Sequence, residues 1–294
     1  MKLGTFIYNN KEEVGVLTKD LKAIIPLKAL GFSYSSMNDL IENASKEELK
    51  KIDNASNDVS KAIALTEVAL QAPIPRPMQD IVCVGRNYVE HIKEGCKFNL
   101  TDFDCKNNPS IYFGKRVNRA VGNNDFLTSH MEVDSQLDYE AELGVIIGKD
   151  VTKVSQDNVK DYIFGYTIIN DVSARGAQNS HRQWYFGKSF DGCTPMGPWI
   201  VTADEFETCP PQVTIQSYVN GELRQNTNTD FLIYSIPYII EELTSAMTLL
   251  KGSIIATGTP SGVGMGFTQP KWLKSGDIVE CSISQIGTLR NIVK

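Results

Sequence analysis

Leu137-Asp138-Tyr139-Glu140-Ala141-Glu142-Leu143-Gly144-Val145 places two glutamates at i and i+2 inside an apolar run. In an extended strand such residues share a face, so Glu140 and Glu142 point the same way, about 6.5–7 Å apart along the chain. Like charges so placed repel unless something positive lies between them. The polar face of a half-exposed strand is the plain account of the pair. A hard divalent cation, which takes oxygen ligands, is the functional one. A third carboxylate is offered by IFGYTIINDVSARGAQ (163–178), where Asp171 closes an apolar run of strand type. Arg175 follows four residues later and Gln178 three beyond that, spacings that can bring both back to one site. A guanidinium there could grip a substrate carboxylate in bidentate fashion, or Arg175 could be an ordinary surface residue in a turn.

Outward from this stretch the chain reads as short β-type runs separated by turn residues. They are DIVCVG (80–85), SIYFGK (110–115), AELGVIIG (141–148), IFGYTIIND (163–171), GPWIVT (197–202), VTIQSYVNGELRQ (213–225), SIIATG (253–258) and IVECSIS (278–284). The Asn220-Gly221 pair between two such runs signals a type I′ hairpin. Ser235 can cap a helix over IPYIIEELTSAM, with Pro237 tolerated in its first turn. Strands dominate, so the fold class is mixed α/β and β-rich.

Residues 1–72 read as a small N-terminal α+β domain. Two short strands, LGTFIY and EVGVLT, flank an NN turn, and a polar helical stretch follows from Met37 to Leu70, with Ile63, Leu65, Val68 and Ala69 at helical spacing. The three prolines of APIPRPM (Pro73, Pro75, Pro77) then fix an extended connector over 73–80, which sets the boundary with a second domain over 81–294.

The 294 residues carry a net charge of −6 and no basic run. That sign repels nucleic acid and anionic membranes and argues against both as partners. The opening MKLGTFIYNNKEEVGVL is too charged for a signal peptide, and no stretch reaches the roughly 20 apolar residues of a membrane span, so the cytoplasm is the expected address. The six cysteines (Cys83, Cys96, Cys105, Cys193, Cys209, Cys281) form no C-x-x-C pair, and free thiols are expected.

Of three histidines, His91 has a partner at hand: in VGRNYVEHIKEG, Glu94 lies one helical turn away. A carboxylate oriented on an imidazole suits a general base, although H-x-x-E is also a common surface pair. His130 and His181 read as structural. GKSFDGCTPMGP (187–198) presents Lys188 and Asp191 on irregular backbone. ATGTPSGVGMG (256–266) lacks the G-K-[ST] of a phosphate loop and reads as a backbone wall with the Thr259 hydroxyl close by. The aromatic stripe Phe231, Tyr234, Tyr238 is assigned to the core.

Together and in this order, VGRNYVEH, LDYEAELGVIIGK, FGYTIINDVSARGAQ, GKSFDGCTPMGP and IATGTPSGVG resemble the fumarylacetoacetate hydrolase family, from about Ile81 to the C-terminus. The first 70 residues resemble the shorter, variable domain of some bacterial members. The resemblance implies a mixed β-sandwich roll, a homodimer, and one Mg²⁺ or Mn²⁺ per subunit held by Glu140, Glu142 and Asp171. It implies substrate contacts from Arg175, Gln178, Lys188 and Thr259, a catalytic part for Lys188, and a His91–Glu94 dyad on a segment that often orders when ligand binds. Gly176 departs from the pattern, since members usually have Asp after the arginine.

The branch resembled decarboxylates oxaloacetate or hydrolyses acylpyruvates such as fumarylpyruvate, cleaving a C–C bond of a small 2-oxo acid through a metal-stabilised enolate. An isomerase of the 2-hydroxymuconate or 2-hydroxyhepta-2,4-diene-1,7-dioate type is the enzymatic alternative. A 2-oxo acid binding protein without turnover is the non-enzymatic one.

Overall fold

The computed structural model describes residues 1–96 and 109–294 of the chain. In chain order the N-terminal strands are β1 (Lys2–Tyr8), β2 (Lys11–Leu17), β3 (Ala23–Pro26), β4 (Ile63–Ala64) and β5 (Ala69–Leu70). Next come β6 (Ile81–Gly85), β7 (Ile111–Lys115), β8 (Phe126–Leu127), β9 (Leu137–Asp138), β10 (Ala141–Ile147), β11 (Ile163–Asn170) and β12 (Ser173–Ala174). The last are β13 (Met196–Thr202), β14 (Thr214–Val219), β15 (Glu222–Asn228), β16 (Ile254–Ala256), β17 (Ile278–Ile283) and β18 (Gly287–Val293). The helices are α1 (Met37–Asn43), α2 (Lys46–Ala55), α3 (Val89–Cys96), α4 (Arg175–Ser180), α5 (Tyr185–Lys188) and α6 (Ile236–Thr244).

An 11-stranded sheet runs β4-β3-β2-β1-β13-β11-β10-β16-β6-β7, with β5 also on β1, and a five-stranded sheet runs β15-β14-β17-β18-β8. The second sheet packs on the first where β14, β17 and β18 meet β10, β11 and β13. The apolar layer between them holds Leu143, Val145, Tyr166, Ile168, Ile215 and Ile283. The opposite face of the large sheet is covered by α1 and α2 through Met37, Leu40, Ile41 and Ile52. This is the expected β-rich mixed α/β architecture. β10 lies between β11 and β16 and is buried from end to end, so the half-exposed strand that would make Glu140 and Glu142 a surface pair is not what forms.

The N-terminal strands are hydrogen-bonded into the same sheet: β1 pairs antiparallel with β13, Leu3 opposite Ile200. The proline segment is tied on both sides, for Pro73 O accepts from Thr5 Oγ1 at 2.7 Å and Pro75 O from Ala120 N at 2.8 Å. Ser45 and Glu48 form a capping box that starts α2. The helix reading beyond residue 55 fails. Ile63 pairs with Ile24 and Leu70 with Phe6, so the apolar residues of 63–70 pack around Phe6, Leu17 and Ile24 from two short strands joined by a 3-10 turn over Leu65–Glu67. Non-local pairing outweighs a helical period that short.

At the hairpin, Asn220 and Gly221 have φ of 52° and 79°, both left-handed, as a type I′ turn requires. Ser235 caps α6 by accepting from Tyr238 N. Phe231 corrects the aromatic assignment: it stands 68% exposed, while Tyr234 and Tyr238 stack on each other. Cys83, Cys193, Cys209 and Cys281 are free thiols, and Cys105 and the Cys96 side chain lie outside the described residues. No helix among the described residues is long and apolar enough to cross a membrane.

One buried amide ties three separate segments together. Asn87 follows β6, donates to Thr257 O (2.8 Å) and Tyr234 O (3.0 Å), and accepts from Tyr234 N (2.7 Å). Replacing it by alanine strands buried backbone groups without partners. Asn87→Ala should therefore cost about 2–4 kcal/mol, read as a lower urea midpoint at unchanged denaturant slope.

Candidate metal centre and active site

Topology brings the acidic residues together. β11 and β16 both run antiparallel to β10, and β6 runs parallel to β16. The start of β10 thus lies beside the ends of β11, β16 and β6. Glu140 and Glu142 come from the first, Asp171 from the second, Gly258 and Thr259 from the third, and Arg86 to His91 from the last. At the start of β10 the backbone leaves the regular ladder and is held by side-chain amides instead: Glu140 N donates to Asn170 Oδ1 (2.9 Å) and Ala141 N to Gln225 Oε1 (3.0 Å). The peptide groups there stay satisfied while Glu140 turns inward.

Carboxylate oxygens of Glu140, Glu142 and Asp171 all lie within 4.8 Å of one another, and all three residues are buried. Lys188 Nζ sits 2.6 Å from both Glu140 Oε2 and Asp171 Oδ2. Lys115 Nζ is 2.9 Å from Asp171 Oδ1, with both side chains fully buried. Arg175 NH2 is 2.6 Å from Glu140 Oε1 and 2.9 Å from Asp138 Oδ2, and NH1 donates to Gln178 Oε1 at 2.9 Å. Asp138 is itself held by the backbone N–H groups of Tyr139, Gly264 and Met265.

The charges divide unequally. Burial would raise the Glu140 carboxyl, but Lys188 and Arg175 hold it well below the usual carboxylate range. The same contacts, with Asp171 and Asp138, keep Lys188 and Arg175 protonated against burial. Glu142 has no such partner and is pushed well above its ordinary value by burial, then by Asp171 and Glu140. Its carboxylate accepts from the Gly258 N–H, 2.8 Å from Oε2. Gly258 adopts φ +99°, and a Cβ there would stand 2.7 Å from that of Asn87, so only glycine can offer this donor. Three oxygen donors, one of them short of positive charge, fit a hard divalent cation.

Beside this cluster lies a cavity of about 380 Å³ lined by Glu140, Glu142, Arg175, Gln178, Lys188, Thr259, His91 and Arg86, with Phe113, Trp184 and Trp272 as apolar walls. His91 Nδ1 faces Glu94 Oε2 at 3.3 Å on α3, and both Glu94 oxygens accept from Gly262 N. Thr259 Oγ1 donates to Ala141 O and accepts from Gln225. Asp191 stands elsewhere, bonded to Asn118 on the surface. His130 and His181 have backbone partners, Asp191 O and Ala177 O.

A family profile described as "Fumarylacetoacetate (FAA) hydrolase C-terminal" matches residues 80–294. The chain belongs to the fumarylacetoacetate hydrolase family. It is 47% identical over 229 residues, 78% of this chain and 74% of the relative, to the oxaloacetate tautomerase YisK of Bacillus subtilis (strain 168). Among solved structures it resembles the fumarylacetoacetate hydrolase of Exiguobacterium antarcticum, with TM-score 0.85 and 36% identity over 100% of this chain and 99% of that one. It also resembles the maleylpyruvate hydrolase of Sphingobium sp. SYK-6, solved with manganese(II) and pyruvate, with TM-score 0.77 and 30% identity over 100% and 98% of the two chains. Family members bind divalent metal, and Glu140, Glu142 and Asp171 bring together oxygen donors that could hold one.

Sequence reasoning passed over Asp138, Lys115, Asn87, Gln225 and Asp134. Asp138 was readable, because it precedes Glu140 by the same two residues that separate Glu140 from Glu142. Lys115 ends an apolar strand, which is itself a signal. The two amides, and Asp134 in its contact with α4, act across 30 or more residues, where the local sequence carries no signal.

Asp134 explains the departure at Gly176. The N-cap of α4, Ala174, offers no side-chain cap; Asp134 supplies one from a distant segment, accepting from Ala177 N (2.6 Å) and Gln136 N (2.8 Å). Gln136 O in turn accepts from Arg175 N. A Cβ on residue 176 would lie 2.9 Å from both Asp134 carboxylate oxygens. Gly176→Asp should thus destabilise the fold by about 2–4 kcal/mol in thermal or urea unfolding. Adding Asp134→Ser should recover part of the loss, a coupling read from the double-mutant cycle.

Metal occupancy has its own readout. Mg²⁺ or Mn²⁺ at about 100 times its Kd should raise the melting temperature by several degrees, since such binding adds about 2.7 kcal/mol. Glu142→Gln should remove that shift yet leave the metal-free protein as stable or more so. A carboxyl whose folded pKa lies above its unfolded one lowers stability as pH rises past the unfolded value, because the unfolded chain releases that proton first.

Proposed function

We propose that the protein is a metal-dependent enzyme acting on small 2-oxo acids through their enol forms, with keto–enol interconversion of oxaloacetate as its first reaction. The observation that carries this reading is the convergence of the Glu140–Glu142–Asp171 triad with buried Lys188 and Arg175 on a cavity that His91 also lines. The likeness to an oxaloacetate tautomerase supports the choice of substrate. In this reading Glu140, Glu142 and Asp171 hold Mg²⁺ or Mn²⁺ in a homodimeric protein. When bound, the cation supplies Lewis acidity toward the 2-oxo carboxylate end of the substrate.

The remaining work falls to the chain's own groups. Lys188, kept protonated by Asp171 and Glu140, acts as a fixed positive charge where negative charge develops. Arg175 holds Glu140 in place, and Gln178 and Thr259 line the bed of the substrate carboxylate. In this role His91 donates Nδ1–H to Glu94, which leaves Nε2 as the proton acceptor. Taking a proton from C3 of oxaloacetate and returning it to oxygen needs one such group.

The same base could activate water against the C4 carbonyl of an acylpyruvate, which makes C–C hydrolysis the second reading; the likeness to a maleylpyruvate hydrolase favours it. The test is turnover of oxaloacetate, by loss of enol absorbance and by pyruvate release, and of acetylpyruvate, each with Mg²⁺ or Mn²⁺ and with EDTA. EDTA should abolish activity, and His91→Ala should lower it by about 10²–10⁴-fold. A metal-loaded protein that leaves both substrates untouched would sink the enzymatic reading in favour of a 2-oxo acid binding protein. An unchanged rate in His91→Ala would remove the dyad from the mechanism.

A further inference from the structure

We infer that Arg86 selects for a second carboxylate on the substrate, gripping the distal carboxylate of a dicarboxylic 2-oxo acid whose 2-oxo end faces Glu140, Glu142 and Asp171. The inference rests on the 2-oxo acid reading above and names the residue that sets its substrate class.

Three observations meet at Arg86. It lines the same cavity as Glu140, Glu142, Arg175 and Lys188. It adopts φ +55°, the left-handed region that a residue with a Cβ enters at a cost. The neighbouring contacts impose that conformation: Gly85 ends β6, and Asn87 is locked by Thr257 and Tyr234. Residue 86 thus forms a short bridge between two fixed points, on the wall of the cavity. Lastly, among the described residues Arg86 has no hydrogen-bond or ion-pair partner, whereas the other cavity cations are committed. Arg175 is taken by Asp138, Glu140 and Gln178, and Lys188 by Glu140 and Asp171.

Charge balance gives the uncommitted guanidinium a task. Outside the His91–Glu94 pair, the buried cluster holds four carboxylates (Asp138, Glu140, Glu142, Asp171) and three cations (Lys115, Arg175, Lys188). A divalent metal turns this net single negative charge into a single positive one, which one substrate carboxylate neutralises. A second carboxylate would enter a cavity with no charge left to meet it, apart from Arg86. Apart from His91, which the proposed reaction uses as its base, the polar side chains left on the wall include Gln136, Gln178, Asn179 and Thr259, all without charge. A fork of N–H donors meets a carboxylate better than any of them.

Oxaloacetate and 2-oxobutyrate differ only in that distal carboxylate, which a methyl group replaces in the latter. Calorimetric titration of the Mn²⁺-loaded wild-type protein should give the tighter Kd for oxaloacetate. Arg86→Asn, which suits a left-handed backbone and removes the charge, should weaken oxaloacetate by about 10- to 100-fold while moving 2-oxobutyrate less than about threefold. Arg86→Lys should fall between, keeping the charge without the fork. Equal losses for both acids, or none for either, would overturn the assignment while leaving metal-dependent 2-oxo acid chemistry standing. Should the wild type bind both acids yet turn over neither, the enzymatic reading fails, and a selective loss in Arg86→Asn still supports the role of Arg86. Binding of neither acid would take down both.

Discussion

Glu140, Glu142, Asp171 and Asp138 are buried with little room for water around them, and an ionised carboxylate moved into such surroundings costs several kcal/mol unless it is paired and hydrogen-bonded. The chain meets this with Lys115, Lys188 and Arg175, each buried and each within 3 Å of at least one of these carboxylates. The compensation is incomplete by one charge, and the deficit falls on Glu142, whose contact is a backbone N–H rather than a cation. A fold with a shortage of positive charge at one defined point is poised to accept a cation there. The cluster is costly to the empty protein for the reason that suits it to a metal.

The surrounding architecture follows from that cluster. Four strand ends must meet, and the pairing of β10 with β11 and β16, and of β16 with β6, is what makes them meet. Each loop leaving that edge then does two jobs. The loop after β16 gives Glu142 a donor through Gly258 and supports Glu94 through Gly262. The loop after β6 anchors at Asn87 and leads into α3 with His91. Asn170 and Gln225 occupy ladder positions with side chains, letting the backbone bend at Glu140 without leaving a peptide group unpaired.

Much of this was readable from residue order, for definite reasons. The i, i+2 spacing of Glu140 and Glu142 pointed to a shared site, though Glu140 stands just before β10 where the chain leaves the ladder, and an apolar run ending at Asp171 put it at a strand end; both signals act over a few residues. The Asn220-Gly221 turn and the Ser235 cap are equally local. What escaped is long-range. The helical spacing of 63–70 yielded to pairing with β3 and β1, which the segment itself cannot encode. Phe231 fits a core stripe by spacing yet projects outward. Gly176 looks like a loss beside Arg175 until Asp134 is found capping α4 from forty-three residues away, and no reading of 171–178 alone could supply it.

The geometry also narrows which group can move protons. Lys188 and Arg175 are held in their charged forms by the carboxylates they touch, so neither can serve as a base near neutral pH. Glu140 is held ionised by the same contacts, and Glu142 and Asp171 complete the proposed metal set. In the proposed reaction this leaves His91, among the described residues lining the cavity, as the base, with Glu94 beside its Nδ1 and Gly262 holding Glu94. One base beside an activated 2-oxo acid suffices for enolisation at C3. Cleavage of the C3–C4 bond by hydrolysis asks that base to act on a water instead, at a carbon further from the metal. The choice between these outcomes therefore lies with the wall that receives the far end of the substrate, where a carboxylate held by Arg86 would leave C3 facing the imidazole.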